Sequence, residues 1–293
     1  DKSSLTFGLS YEDQSLYHPI VDKVLVDFDG AGPMEPIEVF SLLINTDQTN
    51  LGTSLRYNVQ LGEHNLLAGI NYGKSTVKGG DYRNDGGQRN GQTSKTDNDA
   101  TSTELFLFDR WQVANQWQLM YGLQSVSATR NIRNTDLASG SLRNPSADYD
   151  SINPRIGVIY QQTENSQLFA NVSRLYEAPT NFELEDDVRG NNATLDAMNG
   201  TVMEIGTRGQ QPLNHNNFWR WDLAFYYAQL NDEIFSMDDP NAPGTSLSTN
   251  VDSTVHAGIE ALIAANFSLD SNAVHTIEPL ISVTVNEFSF DND

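Results

Sequence analysis

Cysteine is absent from the 293 residues, so neither a disulfide framework nor a thiolate metal site can be built. Basic residues are scarce. Seventeen Lys and Arg against 39 Asp and Glu leave a formal charge of −22, which repels phosphate backbones and speaks against a nucleic-acid partner. Long hydrophobic runs are missing as well. Although 38% of the residues are apolar, no window holds the roughly 18 consecutive apolar residues of a membrane-spanning helix. A helical membrane protein is thereby excluded, but a membrane β-barrel is not, because its strands hide their lipid-facing residues in alternation. No basic-then-apolar leader opens the chain, which runs from Asp1-Lys2-Ser3-Ser4 straight into the strand-like LTFGLSY. It stops at Asn292-Asp293 with no terminal cap or tail, as though cut from something longer.

What the sequence does contain is alternation. In 155–161 the apolar residues Ile156, Val158 and Tyr160 fall on even positions, and in 167–173 so do Leu168, Ala170 and Val172. A period of two means strands with one apolar face. The opposite positions carry Arg155, Gly157, Gln161, Gln167, Asn171 and Ser173, a set that a dry core does not accept without partners. The same pattern is found in 4–11, 51–61, 66–72, 103–111, 117–130, 201–209, 219–228, 255–265 and 276–288. In 219–228, Trp219, Trp221, Leu223, Phe225 and Tyr227 alternate with Arg220, Asp222, Ala224, Tyr226 and Ala228. A row of aromatics beginning beside a short turn has the composition of an interfacial girdle.

Short connections near 62–65, 113–116, 163–165, 213–217 and 268–274 alternate with long polar ones near 78–100, 131–150, 185–200 and 231–252. A further long connection is expected over 18–36, and 38–45 is read as a strand. The stretch KGGDYRNDGGQRNGQTSKTDNDA at 78–100 reads as a surface loop or a disordered one. One-sided loop lengths predict an all-β, antiparallel, up-and-down transmembrane barrel of about a dozen strands. Residues 1–293 would form part of a single barrel domain. An open sheet in lipid would leave two unpaired edges, so either the strands close on themselves or they are a piece of a larger barrel.

Four segments together carry a family resemblance. RIGVIYQQTENSQLFANVSRLYEAPTNFEL at 155–184, EIGTRGQ at 204–210, DEIFSMDDP at 232–240 and TNVDSTVHAGIEA at 249–261 resemble the carboxy-terminal half of TonB-dependent outer-membrane receptors. The likeness is good over roughly 100–290 and looser before. It implies a fragment of a 22-stranded barrel in the outer membrane of a Gram-negative bacterium, with the plug and its TonB-contacting segment outside this chain. It also implies uptake of a small scarce ligand, a ferric chelate such as a siderophore or ferric citrate foremost, with no covalently bound cofactor. Two other classes stay open: a passive porin-like or adhesin barrel, and a soluble all-β lectin or enzyme. The last would bury the Trp219, Trp221, Leu223 and Phe225 face against another sheet.

With the long loops outside, Arg130 sits at the outer end of an ascending strand and Arg155 at the start of a descending one, both on the water-facing parity. Two inward arginines at the mouth are suited to grip an anionic chelate; alternatively they neutralise lumenal carboxylates. Arg174 and Tyr176 close the second strand of the hairpin, with Arg174 on lipid-facing parity unless a bulge intervenes. Tyr82, Arg83 and Arg89 are loop contacts or solvated residues. Asp97-Asn98-Asp99 and Asp186-Asp187 lack calcium-loop spacing and read as surface charge. The histidines at 18, 64, 215, 256 and 275 have no spacing that puts two on one metal, and neither a Ser-His-Asp set nor a nucleophile elbow is found. No enzyme and no metal site are expected.

Overall fold

Residues 2–26, 35–213, 217–240, 246–270 and 275–291 are described by a computed structural model. Parts of the expected connections at 18–36, 213–217, 231–252 and 268–274, and His215, lie outside the described residues. The strands are β1 (Ser3–Val26), β2 (Glu35–Leu61), β3 (His64–Asp85), β4 (Gln88–Gln92), β5 (Ser94–Ala114), β6 (Trp117–Asn131), β7 (Asn134–Asp136) and β8 (Leu142–Arg143). They continue as β9 (Ser146–Thr163), β10 (Ser166–Glu177), β11 (Met198–Pro212), β12 (Phe218–Asp238), β13 (Ser246–Ser268), β14 (Thr276–Ile277) and β15 (Leu280–Phe290), with one short helix, α1 (Asn181–Glu185), between β10 and β11.

The wall follows the order β1-β2-β3-β5-β6-β9-β10-β11-β12-β13, with β15 on the far side of β13. Every neighbouring pair is antiparallel. Among the described residues these are eleven wall strands, an odd number, so β1 and β15 run in the same direction. The sheet is open, and its two edges cannot close on each other as an antiparallel barrel. Each edge strand needs a descending partner from other residues.

Register carries one apolar face across the whole sheet. Leu5, Tyr57, Ala68, Leu107 and Leu123 are successive cross-strand partners. So are Tyr121, Ile156, Val172, Met203, Tyr227 and Ala257. Most of these large side chains are exposed, Leu5 at 66% and Met203 at 50%. Trp219, Leu223, Phe225 and Tyr227 share that exposed face rather than packing on a second sheet, which removes the soluble sandwich. At the short-turn end the face is rimmed by aromatics: Trp117 lies 4.6 Å from Tyr160, Trp219 lies 4.7 Å from Trp221, and Trp111 stacks on His64 at 5.3 Å. A belt of amphipathic rings under an apolar band suits a membrane interface.

Several expected loops are strand. β1 has 24 residues and β2 has 27, about 80–90 Å of chain where 9–11 residues suffice to cross the bilayer. The wall therefore stands well clear of the membrane on the long-connection side. The stretch 78–100 is neither loop nor disordered, because β3 runs through it to Asp85 and turns at Gly86-Gly87 into β4, after which β5 begins at Ser94. Gly79 and Gly80 make this continuation possible, at φ 145° and 147°; a Cβ there would run into the backbone of Asn45 and Ser94. Alternating polarity fails to announce these extensions because both of their faces meet water. The 131–150 connection likewise contains β7, β8 and the start of β9.

Candidate functional site

The residues between β10 and β11 fold inward instead of rising away from the wall. Thr180 caps α1 with a capping box, its hydroxyl accepting from the Glu183 N–H at 3.2 Å while the Glu183 carboxylate accepts from the Thr180 N–H at 2.7 Å. Leu184 is completely buried and packs with Ile132, Leu195 and Ile234 in the only apolar core cluster among the described residues. Burying a leucine on the water-facing side of a barrel wall fixes the segment in place, worth on the order of 1.5–3 kcal/mol.

Polar contacts complete the attachment. Arg130 donates through Nε to the Pro179 carbonyl at 2.8 Å and through Nη1 to the Thr101 carbonyl at 2.9 Å. Arg143 donates to the carbonyls of Leu184 at 3.0 Å and Asp187 at 3.3 Å. Asn98 donates to the Glu185 carboxylate. The Ser248 N–H donates to the Asp186 carbonyl at 2.7 Å and the Val188 N–H to the Ser248 carbonyl at 3.0 Å, tying the segment to β13. Tyr149 donates to the Leu195 carbonyl at 2.9 Å.

Asp187, expected as surface charge, is only 2% exposed and receives two bonds from the Arg189 guanidinium, at 3.1 and 2.9 Å. Burial alone would push its carboxyl up; the Arg189 hydrogen bonds and charge, with Arg143 nearby, outweigh this and hold it below the usual range. Glu185 goes the other way. Burial raises its pKa against hydrogen bonds from Asn134 and Asn98, with Asp186 adding to the rise.

Beneath this segment, between it and the upper walls of β1, β2, β3, β5 and β6, lies a cavity of about 1170 Å³. Its lining includes Thr46, Gln48, Asn50, Ser75, Asp81, Asn98, Ser102, Arg130, Asn134, Asp136, Arg143, Asn181, Phe182 and Glu185. Leu16, Ile44, Leu51 and Val77 add apolar wall to these hydroxyls and amides, and Lys74 adds a cation. Phe182, 68% exposed, is its aromatic surface.

The predicted ligand residues do not converge on one site, although Arg130 and the half-buried Tyr176 lie close enough for their charges to interact. Arg130 has the inward parity expected of it and lines the cavity, but its guanidinium is occupied by carbonyls. Arg155 is also on the inward parity but sits mid-strand, not at the start of β9; it pairs with Gly122, eight residues before Arg130 on β6, roughly 27 Å along the strand. Its guanidinium lies over the Phe108 ring at 5.6 Å. Arg174 and Tyr176 sit on the even positions of β10 that face outward, and no register shift interrupts the β10–β11 pairing, so Arg174 points away from the lumen, 3.4 Å from Asn199. Tyr82 belongs to β3 on the parity of Ile70, and the Arg89 guanidinium lies over its ring at 5.3 Å. Arg83 is exposed on the opposite parity. Asp97 and Asp99 reach Lys78 and Lys74, each at 3.9 Å, on the outer surface. Sequence reasoning missed Asn98, Asn134, Arg143, Asn181 and Glu185; the T-x-x-E capping box at 180–183 was the available signal that the loop had structure of its own.

Residues 2–293 match the family described as TonB dependent receptor-like, beta-barrel. The chain belongs to that family. TonB-dependent receptors are outer-membrane proteins of Gram-negative bacteria, and this barrel is no enzyme. Its fold is similar to that of the ferric-catecholate import receptor Fiu from E. coli K12, at TM-score 0.73 and 14% identity over 100% of this chain and 46% of that one. It is similar also to the copper transporter OprC, at TM-score 0.71 and 14% identity over 97% and 43%, and to the ferric citrate transporter FecA, at TM-score 0.63 and 14% identity over 99% and 43%. The chain thus spans under half the length of these receptors. No curated protein matches.

Proposed function

We propose that this chain is part of the barrel of a receptor that takes up a small scarce ligand, most simply a ferric chelate, in an energy-coupled, TonB-dependent way. The observation that carries the reading, beyond family membership, is the cavity itself. A space of about 1170 Å³ with mixed polar and apolar walls and a fixed inward segment over part of it is on the scale of small-molecule sites, roughly 300–1,000 Å³. An adhesin needs no such roofed chamber, and a passive pore gains nothing from a roof pinned in place. The ligand binds there and passes inward past a plug supplied by residues outside this chain, on which the TonB complex acts. The outward apolar face lies in outer-membrane lipid, and with a formal charge of −22 no nucleic acid is a partner. No covalently bound cofactor is required.

The test is iron-limited growth of a strain lacking the full-length gene, with single chelates as the iron source. Loss of growth on one chelate supports the reading. Unimpaired growth on every chelate, ferric citrate included, defeats the iron version, and growth loss that persists in a TonB-deficient background without change defeats energy coupling.

A further inference from the structure

Arg174 stands outside the barrel wall, and its surroundings there form a site of their own. Register sets its height. Val172, Met203 and Tyr227 are one cross-strand row of the outward apolar face, and Arg174, Thr201 and Gln229 are the next row on that face, further from the short turns. The climb from Pro212 to Thr201 on β11, or from Phe218 to Gln229 on β12, slightly exceeds the roughly 9–11 residues that carry a tilted strand across a bilayer. The row therefore lies where acyl chains end and headgroups begin. With Asn199 and Asn231 from the row above, these polar side chains line an outward notch of about 270 Å³.

The notch holds a cation with donors to spare. Arg174 makes no ion pair among the described residues, and its guanidinium gives one long hydrogen bond, 3.4 Å to Asn199 Oδ1. Arg155, Arg208 and Arg220 all have inward parity, which leaves Arg174 as the one basic side chain on the outward face of β9–β15 among the described residues. The Asp291 carboxylate is turned to Gln229 and Ser253, from which it accepts at 3.0 and 3.3 Å. Thr201 and Asn231 are exposed, and their side chains make no hydrogen bond to the protein. A free guanidinium fork beside a hydroxyl and an amide suits a phosphate flanked by sugar hydroxyls. Directly below, Met203 and Tyr227 are 50% and 38% exposed, an apolar surface for acyl chains.

We propose that this notch is a specific site for a phosphorylated glycolipid of the outer leaflet. Its headgroup phosphate lies on Arg174, its sugar hydroxyls on Thr201 and Asn231, and its acyl chains on Val172, Met203 and Tyr227. The site is on the opposite side of the wall from the ligand cavity, so it stands or falls separately from the uptake reading.

The test is photocrosslinking of the complete receptor with lipid A, a phosphorylated glucosamine disaccharide, carrying a photoreactive group on its headgroup, with the adducts mapped by peptide mass spectrometry. Adducts are expected in 174–177, 199–201 and 229–231. Arg174→Gln should lower their yield about tenfold, the worth of a charge-assisted contact, and Arg174→Lys, which keeps the charge but not the fork, by about threefold. Heat-modifiable gel mobility should stay native in both, since the side chain is exposed. The dephosphorylated probe should label wild type no better than phosphorylated probe labels Arg174→Gln. Adducts only elsewhere on the barrel, equal yields in wild type and Arg174→Gln, or equal labelling by the dephosphorylated probe would each overturn the proposal. Displacement of the lipid by millimolar inorganic phosphate would overturn it too, by making this a site for the free anion.

Discussion

Arg130 and Pro179 are joined across 49 residues by a 2.8 Å hydrogen bond from guanidinium to carbonyl, so the upper end of β6 holds the entrance of the inward segment that roofs the cavity. Arg130→Ala is expected to free 178–197 without disturbing barrel assembly. A charge-assisted bond of this kind contributes about 1.5–3 kcal/mol. Hydrogen exchange in 178–197 should quicken by tenfold or more while heat-modifiable gel mobility stays native. Unchanged exchange would show the apolar packing suffices alone. Ligand affinity should fall in the same variant, through the loosened roof and not through a lost ion pair.

Leu184→Ala attacks the same attachment from its apolar side. Leu184 is fully buried among Ile132, Leu195 and Ile234, and truncation of such a leucine costs about 2–5 kcal/mol. The loss should be local to 178–197, read as exchange protection there with the strands of the wall unaffected. Phe182→Ala, two residues away but 68% exposed, is expected within about 0.5 kcal/mol of wild type and should reveal itself only in ligand affinity. A Phe182→Ala variant that destabilised the segment would contradict its placement as a free cavity surface.

The pH dependence of the segment follows from three adjacent carboxyls, Asp187 held low and Glu185 and Asp186 pushed up by burial. Asp187 is held below its ordinary value, so its contribution is complete above about pH 4 and is lost as pH falls through the depressed value. Glu185 is raised; the folded segment prefers its neutral form, so docking weakens as pH rises from about 4.3 through the raised value. Protection factors in 180–190, corrected for intrinsic exchange, should therefore peak in the mildly acidic range and decline on both sides. Glu185→Gln should reduce the decline on the alkaline side, leaving the smaller part that belongs to Asp186, which burial also raises, and should leave the acid side unchanged. A monotonic rise to neutral pH in the native protein would sink this assignment.

How far the residues announced this structure depends on where two solvents meet. In the membrane band, Leu5, Tyr57, Leu107, Ile156, Val172 and Met203 face lipid while Arg155, Asn171 and Glu204 face water, so a period of two is written plainly and the faces come out correctly. Above the band both faces of the wall are wet, alternation disappears, and 78–100 reads as a loop though it is hairpin. The site was harder still. Parity placed Arg130 on the lumen side, but nothing in a period of two says that its guanidinium is consumed by the Pro179 and Thr101 carbonyls, or that Arg155 lies far below it. The family-like segment ending YEAPTNFEL held more than it showed, since its Thr180 and Glu183 nucleate α1 and its Leu184 becomes the core of the roof.

Arg155 provides the last contrast. Phe108, Gly122 and Arg155 are cross-strand partners in one row of β5, β6 and β9. The Phe108 ring lies across Gly122, whose missing Cβ leaves room for it, and the Arg155 guanidinium covers the ring at 5.6 Å. A cation over an aromatic face contributes about 0.5–2 kcal/mol. Arg155→Ala is expected to lower thermal stability by that order and leave ligand affinity unchanged, the reverse of Arg130→Ala. Gly122→Ala should cost more, about 1–3 kcal/mol, because the ring must leave its seat. Thermal unfolding of the complete receptor, with calorimetric titration alongside, separates these outcomes. If Arg155→Ala lost affinity with its melting temperature intact, the arginine would be a ligand contact and the aromatic stack incidental.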